Sequence, residues 1–195
     1  MTLVAEPNVS VESTHLDGVV VLRTKAIEDD RGLFLELFRA DRFRELGLPD
    51  RFVQDNQSRS RRGVLRGLHF QWDRPMGKLM RVLVGRAFLV AVDIRRGSPT
   101  AGRWYGRDVA AEDRVQIWAP PGFARGFCAL SELAEIEYKC TALYHPPGEC
   151  AIRWNDPAIG IEWPVREPTL SPRDAAAPQL AAWLARPESA TFAYP

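Results

Sequence analysis

The chain has 195 residues, 46% of them hydrophobic and 26% charged, a balance that lets one domain bury most of its apolar surface and excludes a disordered chain. Its 26 Lys and Arg stand against 25 Asp and Glu, a formal net charge of +1, which excludes a general polyanion coat and disfavours nucleic acid as a partner. Where arginines cluster, they therefore read as local sites.

The start "MTLVAEPNVSVESTHLDG" lacks the basic opening and continuous apolar core of a signal peptide. No apolar run approaches the ~20 residues of a membrane-spanning helix, so a cytoplasmic protein away from the membrane is expected. Short β-branched and aromatic runs then follow in order: "VVVLRT", "LFLELF", "LMRVLVG", "AFLVAVDI", "RVQIWA", "GFCAL", "AEIEYKCTAL" and "AIRWN". Punctuated by Gly, Pro and Asp, runs of this length predict a mainly β sandwich or barrel. Helical patterning is confined to "ADRFRELG" (40–47) and "AAAPQLAAWLAR" (175–186). Before the second, "LSPRD" offers Ser171 as N-cap and Pro172 as a first helical residue. One domain over 1–195 is expected, without repeat or linker, its tail at 187–195 loosely held. Cys128, Cys140 and Cys150 are odd in number and lie in or beside apolar runs, which predicts reduced thiols rather than a disulfide frame.

The stretch "FVQDNQSRSRRGVLRGLHFQ" (52–71) crowds arginines around one histidine. His69 and Lys78 are nine apart, with "DRPMG" as a turn between them, so a strand, turn and return strand can bring both to one sheet face. Two accounts stand on spacing alone: a base and a cation sharing a cavity, or a satisfied core histidine with a lysine at the rim. A metal is disfavoured, because the only histidines are His15, His69 and His145 and no His-x-His pair occurs. In "PPGFARG" (120–126), which has the shape of a metal-binding barrel motif, the position of a ligand histidine holds Arg125, which cannot ligate a metal.

In order and spacing, "DDRGLFLELF", "FVQDNQSRSRRGVLRGLHFQ", "GKLMRVLVG", "VAVDIRRGSPTAGRW", "IWAPPGFARGF", "EIEYKCT", "WNDPAIGIEWP" and "LSPRDAAAP" resemble the dTDP-4-dehydrorhamnose 3,5-epimerase family over about 19–178. The resemblance implies a cupin-type jelly roll with a few short helices, one near the C-terminus, needing neither metal nor cofactor. It implies a homodimer whose N-terminal segment crosses to the partner. The implied substrate is a nucleotide-linked 4-keto-6-deoxyhexose, inverted at C3 and/or C5 through an enolate.

Carried over residue by residue, the resemblance makes His69 the base, Asp174 the carboxylate that orients it, Tyr138 the opposing acid and Lys78 the cavity cation. The types suit the task. A proton beside a ketone is acidic enough to remove only if the enolate charge is stabilised, which an ammonium does in a dry cavity; inversion then needs a weak acid on the other face. The implied nucleotide-diphosphate contacts are Gln54, Asn56, Arg66 and Gln71, with Arg31 and Glu36 reaching from the partner. Guanidinium forks match phosphate oxygens, so Arg66 is the anion-site candidate, while Arg59, Arg61 and Arg62 read as a solvated run. Tyr144 is either a stacking surface or ordinary packing.

Three positions depart from the family pattern: Gln57 and Arg125 replace histidines, and Leu89 replaces an acidic residue. By the resemblance, Leu89 and Arg125 line the cavity, Arg125 as a substrate contact. Two readings of function stay open: an epimerase of this kind, or a catalytically silent sugar-nucleotide-binding cupin or isomerase of another keto sugar nucleotide.

Overall fold

The computed structural model describes residues 8–195; residues 1–7, on which the reading of the chain's start partly rests, lie outside the described residues. The larger sheet has the order β1 (Val9–His15), β2 (Val19–Thr24), β10 (Val115–Ala119), β7 (Lys78–Val84), β12 (Leu133–Cys140) and β5 (Gln54–Arg61). Facing it is a sheet of order β13 (Glu149–Ala151), β6 (Leu65–Gln71), β11 (Phe123–Ala129), β8 (Arg86–Asp93) and β9 (Trp104–Ala110). Among the described residues a hairpin of β3 (Ala26–Asp29) and β4 (Gly32–Leu35) pairs only with itself. This is the cupin-type jelly roll expected from the sequence.

Alternate residues point between the sheets. Val82, Leu89, Ile117, Phe127 and Ile136 meet there in one buried cluster. The outer faces are covered too, which is why every residue of β10 and β11 is buried. On the larger sheet, Leu79 and Trp118 pack under Phe43 of α1 (Ala40–Glu45). On the smaller, Leu68, Phe70, Val90 and Val92 pack under Leu180, Trp183 and Phe192 from the chain's end.

Two expectations for that end are corrected. The helix expected over 175–186 is two pieces, α2 (Pro172–Ala175) and α3 (Leu180–Leu184). Pro178 between them removes a backbone donor and turns the preceding residue away from helix. The start is as read, with the Ser171 hydroxyl accepting from the Asp174 N–H. The tail is not loose: Ser189 and Phe192 are buried, Tyr194 N donates to Arg96 O at 2.9 Å, and Phe192 alone is worth about 1.5–3 kcal/mol of burial. The strand expected at "AIRWN" ends at Ala151, and only Leu33 to Leu35 of "LFLELF" is strand. The cysteines are free, Cys128 and Cys140 buried. Among the described residues no helix is long and apolar enough to cross a membrane.

Candidate active site

β5 is a strand made almost entirely of polar residues. Its burial alternates, Gln54, Asn56, Ser58 and Ser60 inward and Asp55, Gln57, Arg59 and Arg61 exposed. Of the inward row, Ser58 lines a cavity of about 230 Å³ that the sheets enclose at this end. Arg62 is exposed as well, and Arg59 pairs outside with Glu135 at 2.6 Å, so the arginine run is a surface run.

His69 and Lys78 both line this cavity, but not as a hairpin. β6 and β7 belong to different sheets, so the base candidate and the cation approach from opposite walls. Tyr138 lines the cavity from β12, the neighbour of β7. Lys78 Nζ stands 5.7 Å from the centre of its ring. The His69 wall depends on Gly67, whose φ is +138° and where an added Cβ would lie 2.6 Å from Gly126 Cα. Only glycines let β6 and β11 approach so closely.

His69 Nε2 lies 2.6 Å from Asp174 Oδ1, so β6 and α2 bring together residues 105 positions apart. Burial raises the Asp174 carboxyl, but hydrogen bonds from His69, Ser171 and the Gly67 backbone outweigh it and hold the group below the usual carboxylate range. An ionised Asp174 accepts, so Nε2 carries the proton and Nδ1 keeps its lone pair. Burial pushes the Lys78 ammonium below the ordinary lysine range, Cys140 and Glu149 opposing and Arg125 adding to the effect. Burial raises the Tyr138 phenol, with Cys140 and Glu149 acting the same way, so it stays protonated at neutral pH.

Arg125 is the cross-strand neighbour of His69 and lines the same cavity. It is 4% exposed. Burial drives its guanidinium down to about 9 despite the opposing pull of Tyr105, which still leaves it charged at neutral pH. Leu89 is not a lining residue: it is 1% exposed in the apolar core between the sheets, opposite Phe127. That position is deep enough that an aliphatic side chain fills it.

The phosphate-contact candidates divide. Arg66 lines the cavity, with Nε donating to Ser60 Oγ at 3.1 Å. Gln54 donates to Asn56 Oδ1 at 3.0 Å and accepts from Tyr144 N at 2.7 Å, while Asn56 reaches Cys140 Sγ. Gln71 is 2% exposed, and its amide is engaged by Arg74 O, Leu143 O and His145 N. It holds the loop that presents Tyr144 and is not among the lining residues. Tyr144 itself is 51% exposed and donates to Glu149 Oε2 at 2.8 Å, so it is not core packing. Arg31 and Glu36 stand apart from this chain's cavity, Arg31 paired with Asp29 and Glu36 with Asn8 and Arg39.

Sequence reading missed Ser58 and Glu149. Ser58 Oγ is buried at the cavity without a partner, and its place in the alternation of β5 is the signal that finds it. Glu149 lines the cavity from β13 and is bound by Arg173 and Tyr144; no local pattern announces it. Among the described residues no group of three or more His, Cys, Asp or Glu is placed to hold a metal.

Residues 13–182 match the family model described as dTDP-4-dehydrorhamnose 3,5-epimerase. The protein of that name from Salmonella typhimurium is 51% identical over 173 residues, 87% of this chain and 94% of that one. The Neisseria gonorrhoeae protein of the same name is 52% identical over 165 residues, 84% of this chain, and the chain spans 50% of that longer relative. The crystal structure of a dTDP-6-deoxy-D-glucose-3,5-epimerase from Legionella pneumophila, in complex with dTDP-4-keto-L-rhamnose, superposes with a TM-score of 0.86 at 49% identity, covering 90% of this chain and 96% of that one.

Proposed function

The chain belongs to the dTDP-4-dehydrorhamnose 3,5-epimerase family, and on that footing we propose that it converts dTDP-4-dehydro-6-deoxy-D-glucose to dTDP-4-keto-L-rhamnose by inverting C3 and C5. One observation carries the reading: His69, held by Asp174, and the un-ionised Tyr138 reach one cavity from opposite sheets.

In this reading His69 Nδ1 takes the proton from C3 or C5. The C–H electron pair becomes a C=C bond and the carbonyl pair moves onto the C4 oxygen. Asp174 steadies the resulting imidazolium, and Lys78 faces the developing oxyanion. Tyr138 returns a proton to the carbon from the other face, and the phenolate and imidazolium re-equilibrate with water. Arg66 at the mouth takes the diphosphate, and Ser58 offers a hydroxyl to the sugar.

The protein acts as a homodimer in the cytoplasm. Supporting the dimer, Ile27, Leu33 and Phe34 of the lone β3–β4 hairpin are 54%, 57% and 64% exposed, a surface that a second copy would cover. The hairpin would carry Arg31, and with it Glu36, to the partner's nucleotide.

An NMR time course of the sugar nucleotide in deuterated water tests the function. Label entering C3 and C5 with conversion to the L-configured product is expected, lowered ~10²- to 10⁴-fold in His69→Ala. Absence of wash-in from the unmodified protein refutes it.

A further inference from the structure

Arg125 presents a problem that the fold leaves unsolved. Its side chain crosses the space between the sheets to within 3.4 Å of Ile117 O, a long contact made by Nη1 alone. Nε and Nη2 are buried and have no partner, and no carboxylate among the described residues pairs with the guanidinium. A buried, unpaired cation is costly, and a guanidinium has donors only, so what completes this site is an anion. Resting on the function proposed above, we infer that Arg125 holds the enolate oxygen on C4, sharing with Lys78 the stabilisation of the intermediate.

The alternatives within one substrate are the diphosphate and the enolate. The diphosphate is large and strongly hydrated and has Arg66 at the exposed rim. Arg125 lies inside, beside His69 in register. The oxygen on C4 is two bonds from C3 and two from C5, so whichever of them His69 reaches, the C4 oxygen stays close to the cross-strand neighbour of His69, Arg125. The buried guanidinium, at about 9, keeps its charge at neutral pH, so Arg125 adds a standing positive charge beside Lys78. A contact that strengthens as charge develops acts on kcat rather than KM.

The test measures solvent deuterium wash-in for the unmodified protein, Arg125→Met and Arg125→Lys, with thermal midpoints for all three. Expected for Arg125→Met is a fall in kcat on the order of 10²- to 10³-fold, KM within about threefold and a midpoint equal or higher, since the orphan cation is gone. Arg125→Lys is expected to recover part of the rate, which a purely structural role would not produce. Wash-in by Arg125→Met within twofold of the unmodified rate, or equal loss in both variants, would overturn the assignment. No wash-in by the unmodified protein would instead overturn the function and the assignment with it.

Discussion

Tyr138 and His69 face one cavity from opposite sheets, on β12 and β6. A sugar ring lying between the walls turns one face to each. Tyr138→Phe keeps the ring packing and removes the phenol, so proton removal continues while delivery to the far face fails. Wash-in without inversion is the expected signature, read from the ratio of label to product by NMR. Unchanged inversion would rule Tyr138 out as the acid.

Asp174 is the one carboxylate bound to His69 among the described residues. Its carboxyl, raised by burial but lowered further by its hydrogen bonds, titrates below its ordinary value. Its contribution to stability is therefore complete above the unfolded value near ~4 and is lost as pH falls through the lower folded value. Asp174→Asn should lower both the wash-in rate and the urea midpoint at neutral pH, and the gap in midpoint should close as the pH falls through the folded-state value of Asp174. A gap that persists in acid would mean the loss is steric.

Leu89, the second cavity departure implied by the resemblance, lies in the core. Restoring an acid there would bury an unpaired charge at a position 1% exposed. Leu89→Asp is expected to cost on the order of 3–5 kcal/mol by urea denaturation. A well-folded variant with altered kcat would return Leu89 to the site.

Gly67→Ala and Gly63→Ala separate crowding from backbone preference. Both glycines have positive φ, +138° and +80°, but a Cβ at Gly63 meets nothing within 4 Å, whereas at Gly67 it meets Gly126 Cα at 2.6 Å. Gly63→Ala should lose about 1 kcal/mol at unchanged kcat. Gly67→Ala should lose more and depress kcat, because the strands it pushes apart carry His69 and Arg125. Circular dichroism melts and initial rates suffice.

Strands with one or both faces in the core were legible in the sequence. "AFLVAVDI" and "RVQIWA" are apolar because both faces of their sheets are covered. β5 escaped because both its faces are polar, its inward row bonding to Asn56, Cys140 and Arg66 or lining the cavity at Ser58, and β9 escaped because Gly106, Arg107 and Asp108 interrupt it. The site was less legible than the fold. Short spacing misled, since His69 and Lys78 come together across two sheets rather than around a turn. Long spacing was silent, since nothing local links His69 to Asp174; the family resemblance alone named that pair.

The segment that covers the smaller sheet with Trp183 and Phe192 also carries Asp174 on its first helical turn. During synthesis His69 leaves the ribosome 105 residues ahead of its carboxylate. Until that stretch has emerged and docked, the outer face of β6 is bare and the imidazole is unheld. Closure of the hydrophobic layer over the smaller sheet and the fixing of the imidazole are thus one event.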